Sequence, residues 1–192
     1  MTETVRSFVA VPLPEDLRAR IAAVAEELAP ELPGVKWSRK VENLHVTIKF
    51  LGQVAEDKLA ALGIELAQAL APLPRFRLEL RRMGAFPSPR HASVLWAWAD
   101  DVERGLAAVA AAVEDVGERL GFERDRRTFT GHVTMGRAQG GTGGVDARAA
   151  LDAFAAREFG ETTVEEVHIY ESRLGGEGST YVLRSRAALS SN

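Results

Sequence analysis

The chain has 192 residues, 46% of them hydrophobic and 27% charged, which suits one compact domain with a full core and excludes a disordered chain. A net charge of −3 and a pI of about 5.9 exclude a protein that coats long nucleic acid, because coating neutralises many phosphates with many cations. Contact with RNA would be confined to a short stretch such as one end. The absence of cysteine excludes disulfides, thiolate nucleophiles and cysteine-ligated zinc, and fits a reducing cytoplasm.

The opening residues carry charges of both signs before a short apolar stretch from Phe8 to Leu13, unlike a secretory signal. No apolar run approaches the roughly 20 residues of a membrane span. The expectation is a cytoplasmic protein without a membrane partner. With no heptads and no large apolar helix face, it is also expected to be a monomer.

Residues 7–12 read as a strand closed by Pro12 and Pro14, and Glu15 and Asp16 then open a helix running to about Leu28. Val35-Lys-Trp37 is a short strand. In the next strand Leu44, Val46, Ile48 and Phe50 alternate with His45, Thr47 and Lys49, giving one apolar and one polar face. On that reading Phe50 belongs to the core. Residues 55–70 form a helix ended by Pro72 and Pro74. Residues 76–80 form a strand, 84–89 a turn and 92–99 a further strand. A helix over 102–120 is capped near Asp100 or Asp101. Residues 132–137 make a strand, 139–144 a glycine-rich loop and 145–156 a helix, followed by strands over 162–170 and 179–186 and a loose chain end.

The two halves repeat in kind: a His-Val-Thr strand, a loop, a helix, a strand, a glycine-rich turn and a closing strand. This predicts a single α+β domain over residues 1–192. It has two pseudo-twofold-related lobes, each a small antiparallel sheet with helices packed outside, and a cleft between them.

On a strand, residues two apart share a face, so His45 points with Thr47 and His132 with Thr134. A single His-x-Thr means little, since threonine favours strands. Two copies with the same central valine, in a chain with four histidines, point to chemistry. One imidazole can act as base and the other as acid, because both forms are accessible near the ordinary pKa of about 6.5. The two hydroxyls can hold the non-bridging oxygens of a phosphate between them. Such a set suits in-line displacement at phosphorus and calls for no metal and no cofactor. The chain lacks a P-loop, a G-x-S-x-G elbow and H-E-x-x-H. A third zinc ligand beside the two histidines is not evident from the sequence.

His168, between Val167 and Ile169, reads as structural, and His91 as a surface loop residue. Arg137 and Arg127, close to His132 in sequence, are the arginines best placed to touch RNA. Phe86 and Trp37 could stack on a base, although core packing is the commoner fate of such rings.

The paired motifs resemble the signature of the 2H phosphoesterase superfamily. Within it the chain resembles the RNA 2′,3′-cyclic phosphodiesterases, also known as 2′-5′ RNA ligases. The similarity extends from Arg6-Ser-Phe-Val-Ala-Val-Pro-Leu-Pro14 through Glu42-Asn-Leu-His-Val-Thr-Ile-Lys-Phe-Leu-Gly52 and Gly84-Ala-Phe-Pro-Ser-Pro89 to Tyr170-Glu-Ser-Arg-Leu174 and Tyr181. In one departure, Gly131 stands before His132 where the family often has proline, which should loosen the approach to that strand. The resemblance implies hydrolysis of an RNA-terminal 2′,3′-cyclic phosphate to a 2′-phosphomonoester, with RNA 3′ ends such as tRNA fragments as partner. Alternatives on the same scaffold are a 2′-5′ ligase and a 2′,5′-oligonucleotide phosphodiesterase. Outside enzymology, the alternatives are a module that holds RNA ends without turnover and a structural protein with coincidental motifs.

Overall fold

The computed structural model describes residues 3–139, 144–176 and 178–191. The strands are β1 (Thr4–Pro12), β2 (Val35–Trp37), β3 (His45–Ala55), β4 (Phe76–Phe86), β5 (Val94–Asp100), β6 (His132–Ala138), β7 (Glu158–Val164), β8 (Glu166–Gly175) and β9 (Gly178–Ala188). The helices are α1 (Glu15–Leu28), α2 (Glu56–Leu70), α3 (Gly105–Arg119) and α4 (Arg148–Ala153). All the named strands join one antiparallel sheet in the order β7-β4-β5-β6-β3-β1-β8-β9, with β2 on the free stretch of β6.

Helix formation follows the apolar spacing. Leu59, Leu62, Leu66 and Leu70 make one buried stripe on α2, and Glu56 and Asp57 sit at its positive end. The stripe packs on β9, where Gly63 leaves room for Ser185: a Cβ there would lie 2.8 Å from its Oγ. Asp101 accepts from the backbone N–H groups of Leu106 and Ala107 at 3.0 and 2.7 Å and so holds the first turn of α3, which begins at Gly105, later than the expected residue 102.

The fold is α+β with two lobes. In one, β3, β1, β8 and β9 are backed by α2; in the other, β6, β5, β4 and β7 are backed by α1, while α3 lies over β3 and β4. The lobes meet where β3 and β6 pair at Val46 and Val133. They are not the two halves of the sequence. β4 to β7, with β2 on β6, form the second lobe, and the first combines β1 and β3 with the β8–β9 hairpin. The apparent repeat therefore reflects matched central strands more than matched halves.

Several boundaries differ from expectation. The span 162–170 is two strands divided at Glu165, with β7 pairing with β4 and β8 with β1. β4 continues through the expected turn at 84–86, and Arg82 is a bulge residue with φ 55°. The helix expected over 145–156 shrinks to α4, because Val145 instead exchanges backbone hydrogen bonds with Ala92. Of the expected glycine-rich loop, residues 140–143 lie outside the described residues. Of the chain end expected to be loose, Leu189 is buried and Ser190 bonds Leu73 and Arg75 through its backbone, while Asn192 lies outside the described residues. Gly131 is buried as well, and a Cβ there would lie 2.6 Å from Leu106. The glycine is thus a close-packing position and does not loosen the approach to β6. No helix among the described residues is long and apolar enough to cross a membrane.

Candidate active site

The two central strands share more than their motifs. Against β1, β3 carries an extra residue at Ile48; against β5, β6 carries one at the matching Met135. A bulge of this kind inverts the side-chain alternation beyond it. His45 and Thr47, like His132 and Thr134, point into the cleft, with Val46 and Val133 in the core behind them. Past the bulge Lys49 turns inward and Phe50 turns out, 67% exposed, opposite Phe8. The core placement expected for Phe50 is therefore wrong, and so is the placement of Lys49 on the face of His45 and Thr47. Arg137 is the counterpart of Phe50 and also faces the cleft, level with Val94.

The imidazoles are held alike. Nδ1 of His45 donates to the Asn43 carbonyl at 2.6 Å, and Nδ1 of His132 donates to the Thr130 carbonyl at 2.8 Å. A carbonyl can only accept, so in each neutral ring the proton sits on Nδ1 and Nε2 keeps its lone pair. The Thr47 hydroxyl lies 2.9 Å from Nε2 of His45, whereas Nε2 of His132 has no protein partner among the described residues. Aromatic rings fix both orientations. Phe8 stacks on His45 with centroids 4.8 Å apart, and Tyr181 meets it edge-on at 5.4 Å. Phe86 meets His132 edge-on at 5.2 Å, with Trp96 at 6.1 Å.

Burial lowers the pKa of both histidines from the ordinary value. For each, the carbonyl on Nδ1 acts in the opposite direction and a neighbouring positive charge acts in the same one. For His45 that charge is His132, and for His132 it is Arg137. Both rings are thus biased towards the neutral form, and a charge on one disfavours a charge on the other.

Of the other predicted residues, Phe86 lies against His132 and Arg137 lies near both His132 and Tyr181. Arg127 sits apart, paired with Asp125 at 3.0 Å, in a groove of about 540 Å³ that also reaches Phe50. Trp37 packs over Gly136 and away from the cleft. His168 is structural as expected: it is buried between Glu166 and Tyr170, at 2.6 and 2.8 Å. Phe8, Tyr181 and Trp96 went unpredicted because their roles depend on strand pairing. Phe50 did carry a signal, since its counterpart in the second motif is an arginine, and one position is rarely core in one lobe and cationic in the other.

Two His-Val-Thr strands, paired about an approximate twofold with both imidazoles turned into one cleft, define a 2H phosphoesterase. The comparisons narrow the class. Residues 11–96 match the family model described as LigT like phosphoesterase. The chain is 31% identical over 176 residues to the RNA 2′,3′-cyclic phosphodiesterase of Archaeoglobus fulgidus, covering 92% of this chain and 96% of that one. It is 28% identical, with the same coverage, to the enzyme of that name from Methanocaldococcus jannaschii. Escherichia coli LigT in complex with 3′-AMP superposes with a TM-score of 0.78 at 26% identity, over 97% of this chain and 99% of that one. The chain belongs to the LigT-like phosphoesterase family.

Proposed function

We propose that the protein hydrolyses the 2′,3′-cyclic phosphate at an RNA 3′ end to a 2′-phosphomonoester, with His132 as base, His45 as acid and no metal. The observation that carries this reading is the pair of backbone-locked imidazoles presenting Nε2 to one cleft, with unlike surroundings. Arg137 disfavours a second positive charge at His132, and Nε2 of His132 is free to take a proton from water. In the proposed reaction a water oxygen bonds to phosphorus as His132 takes its proton. The bond from phosphorus to the 3′ oxygen breaks, and His45 supplies the proton that makes the 3′ hydroxyl. The cyclic phosphate brings the negative charge that favours a protonated His45. Protonation also turns the hydrogen bond to Thr47 around, which frees the hydroxyl proton of Thr47 for a phosphate oxygen. Thr134 serves the other side.

The test is a short RNA ending in a 2′,3′-cyclic phosphate, incubated with EDTA and followed by phosphorus NMR. A 2′-monophosphate from wild type and none from folded His45→Ala is the expected result. A 3′-monophosphate, or activity lost in EDTA, would overturn the corresponding part of the reading. Thr47→Val is expected to lower kcat about 10²–10³-fold with an unchanged fold, as for loss of one oxyanion donor; near-normal turnover would remove Thr47 from phosphate binding.

The pH dependence follows from the direction of the shifts. The competent free enzyme has one neutral and one charged ring. Because both pKa values lie below the ordinary value of about 6.5, kcat/KM should peak on the acid side of it. Both folded pKa values are depressed, so the unfolded chain binds more protons as pH falls through about 6.5, and stability is lost in that direction. A kcat/KM optimum above pH 7 would contradict these assignments.

A further inference from the structure

We infer that the indole of Trp98 is a stacking platform for the nucleobase of the reacting nucleotide, so that this chain selects its substrate by the base as well as by the cyclic phosphate. This rests on the function proposed above. Trp98 on β5 lies directly opposite His132 on β6 and Arg81 on β4, so the three side chains share the cleft face of the second lobe. Its neighbours Ala97 and Ala99 point into the core behind. The Trp98 ring sits against Trp96, with centroids 5.7 Å apart, and Trp96 in turn lies 6.1 Å from His132. Trp96 is 9% exposed and Trp98 37%, so the row of rings that flanks His132 ends in an open indole.

Two features point to a flat ligand on that face. The first is the neighbouring charge. Arg81 is placed to cover the indole from across the strand pair, yet its guanidinium is held by Asp100, and among the described residues no cation lies over Trp98. The second is a difference between the lobes. Beside the other motif, the positions that match Trp96 and Trp98 are Ala10 and Pro12, opposite Thr47 and His45. The paired motifs can hold a phosphate symmetrically, but a nucleoside carries its base on one side only. Indoles on one side of the phosphate and small residues on the other match that inequality. A nucleobase stands one ribose away from its own 2′,3′-phosphate, and Trp98 stands one ring away from His132. Every base has a flat face, and stacking on an open aromatic ring strengthens binding about tenfold or more per base.

Steady-state kinetics on the full chain test the platform. The substrates are adenosine 2′,3′-cyclic phosphate and methyl riboside 2′,3′-cyclic phosphate, which lacks a base. In Trp98→Leu the ratio of kcat/KM, adenosine over base-free, is expected to fall about tenfold through KM, the loss of one stacking contact. Trp98→Phe should keep most of the ratio. Leucine still covers the face of Trp96, so the fold should survive the test. An unchanged ratio in Trp98→Leu overturns the platform. An equal loss on both substrates also overturns it, since Trp98 would then only support Trp96 and His132. If wild type turns over neither substrate, the functional reading has failed, and calorimetric binding of adenosine 2′-monophosphate decides the platform separately. Binding about tenfold weaker in Trp98→Leu than in wild type supports it. Equal affinity, or no binding to wild type, overturns it.

Discussion

A cyclic phosphate carrying sulfur in place of the 3′ oxygen is expected to restore turnover to His45→Ala and to leave His132→Ala inactive. A sulfur leaving group departs as the thiolate and needs no proton, so only the variant that lacks the acid gains from it. General acid catalysis is worth about 10²–10⁴-fold, and His45→Ala should lose that much on the ordinary substrate and regain most of it on the sulfur one. The base is still missing in His132→Ala, whatever leaves. The prediction rests on the unlike neighbours of two otherwise matched rings: Arg137 beside His132, and the Thr47 hydroxyl on Nε2 of His45. Rescue of His132→Ala in place of His45→Ala would exchange the roles.

Lys49→Met is expected to destabilise the fold by about 3–5 kcal/mol, the usual cost of removing one partner from a buried pair. The Lys49 side chain is 5% exposed, and its ammonium donates to both oxygens of Glu114, at 2.9 and 2.8 Å, and to the Glu123 carbonyl at 2.8 Å. Its three donors are all satisfied. Removing the lysine leaves the Glu114 carboxylate under the sheet with its charge uncompensated. It also releases the start of the segment that carries Arg124 to Arg127. The double variant Lys49→Met, Glu114→Leu should recover most of the loss, because an apolar pair of similar volume needs no compensation. Urea unfolding of the three proteins checks this; a loss below about 1 kcal/mol in the single variant would mean that Glu114 reaches water without the lysine.

The same two strands show what could be read in advance. Period-two alternation from Leu44 to Thr47 placed His45 and Thr47 on one face correctly, because up to that point the strand is regular. It misplaced Lys49 and Phe50, because a bulge adds one residue without changing composition. The lobes were legible as a pair, since both central strands announce themselves with His-Val-Thr. Their membership was not. No local feature of residues 166–188 says that they will pair with β1, and nothing at Glu165 resembles a turn. Hydrophobic pattern reports which face of a strand is buried, whereas strand partners are set by packing between distant segments.

The interleaved lobes have a consequence for the newly made chain. β4 to β7 form an unbroken stretch that can pair as it leaves the ribosome. The other lobe must hold β1 against β8, closing a loop of about 150 residues whose entropic cost precedes any contact that offsets it. Tyr181, which braces the His45 ring, lies on β9 and follows all of β4 to β7 in the chain. A chain halted after β7 has both histidines in its covalent structure and no finished wall behind one of them. The cleft therefore acquires its final shape only once β9 has been made, and shorter products of translation carry the motif without the pocket.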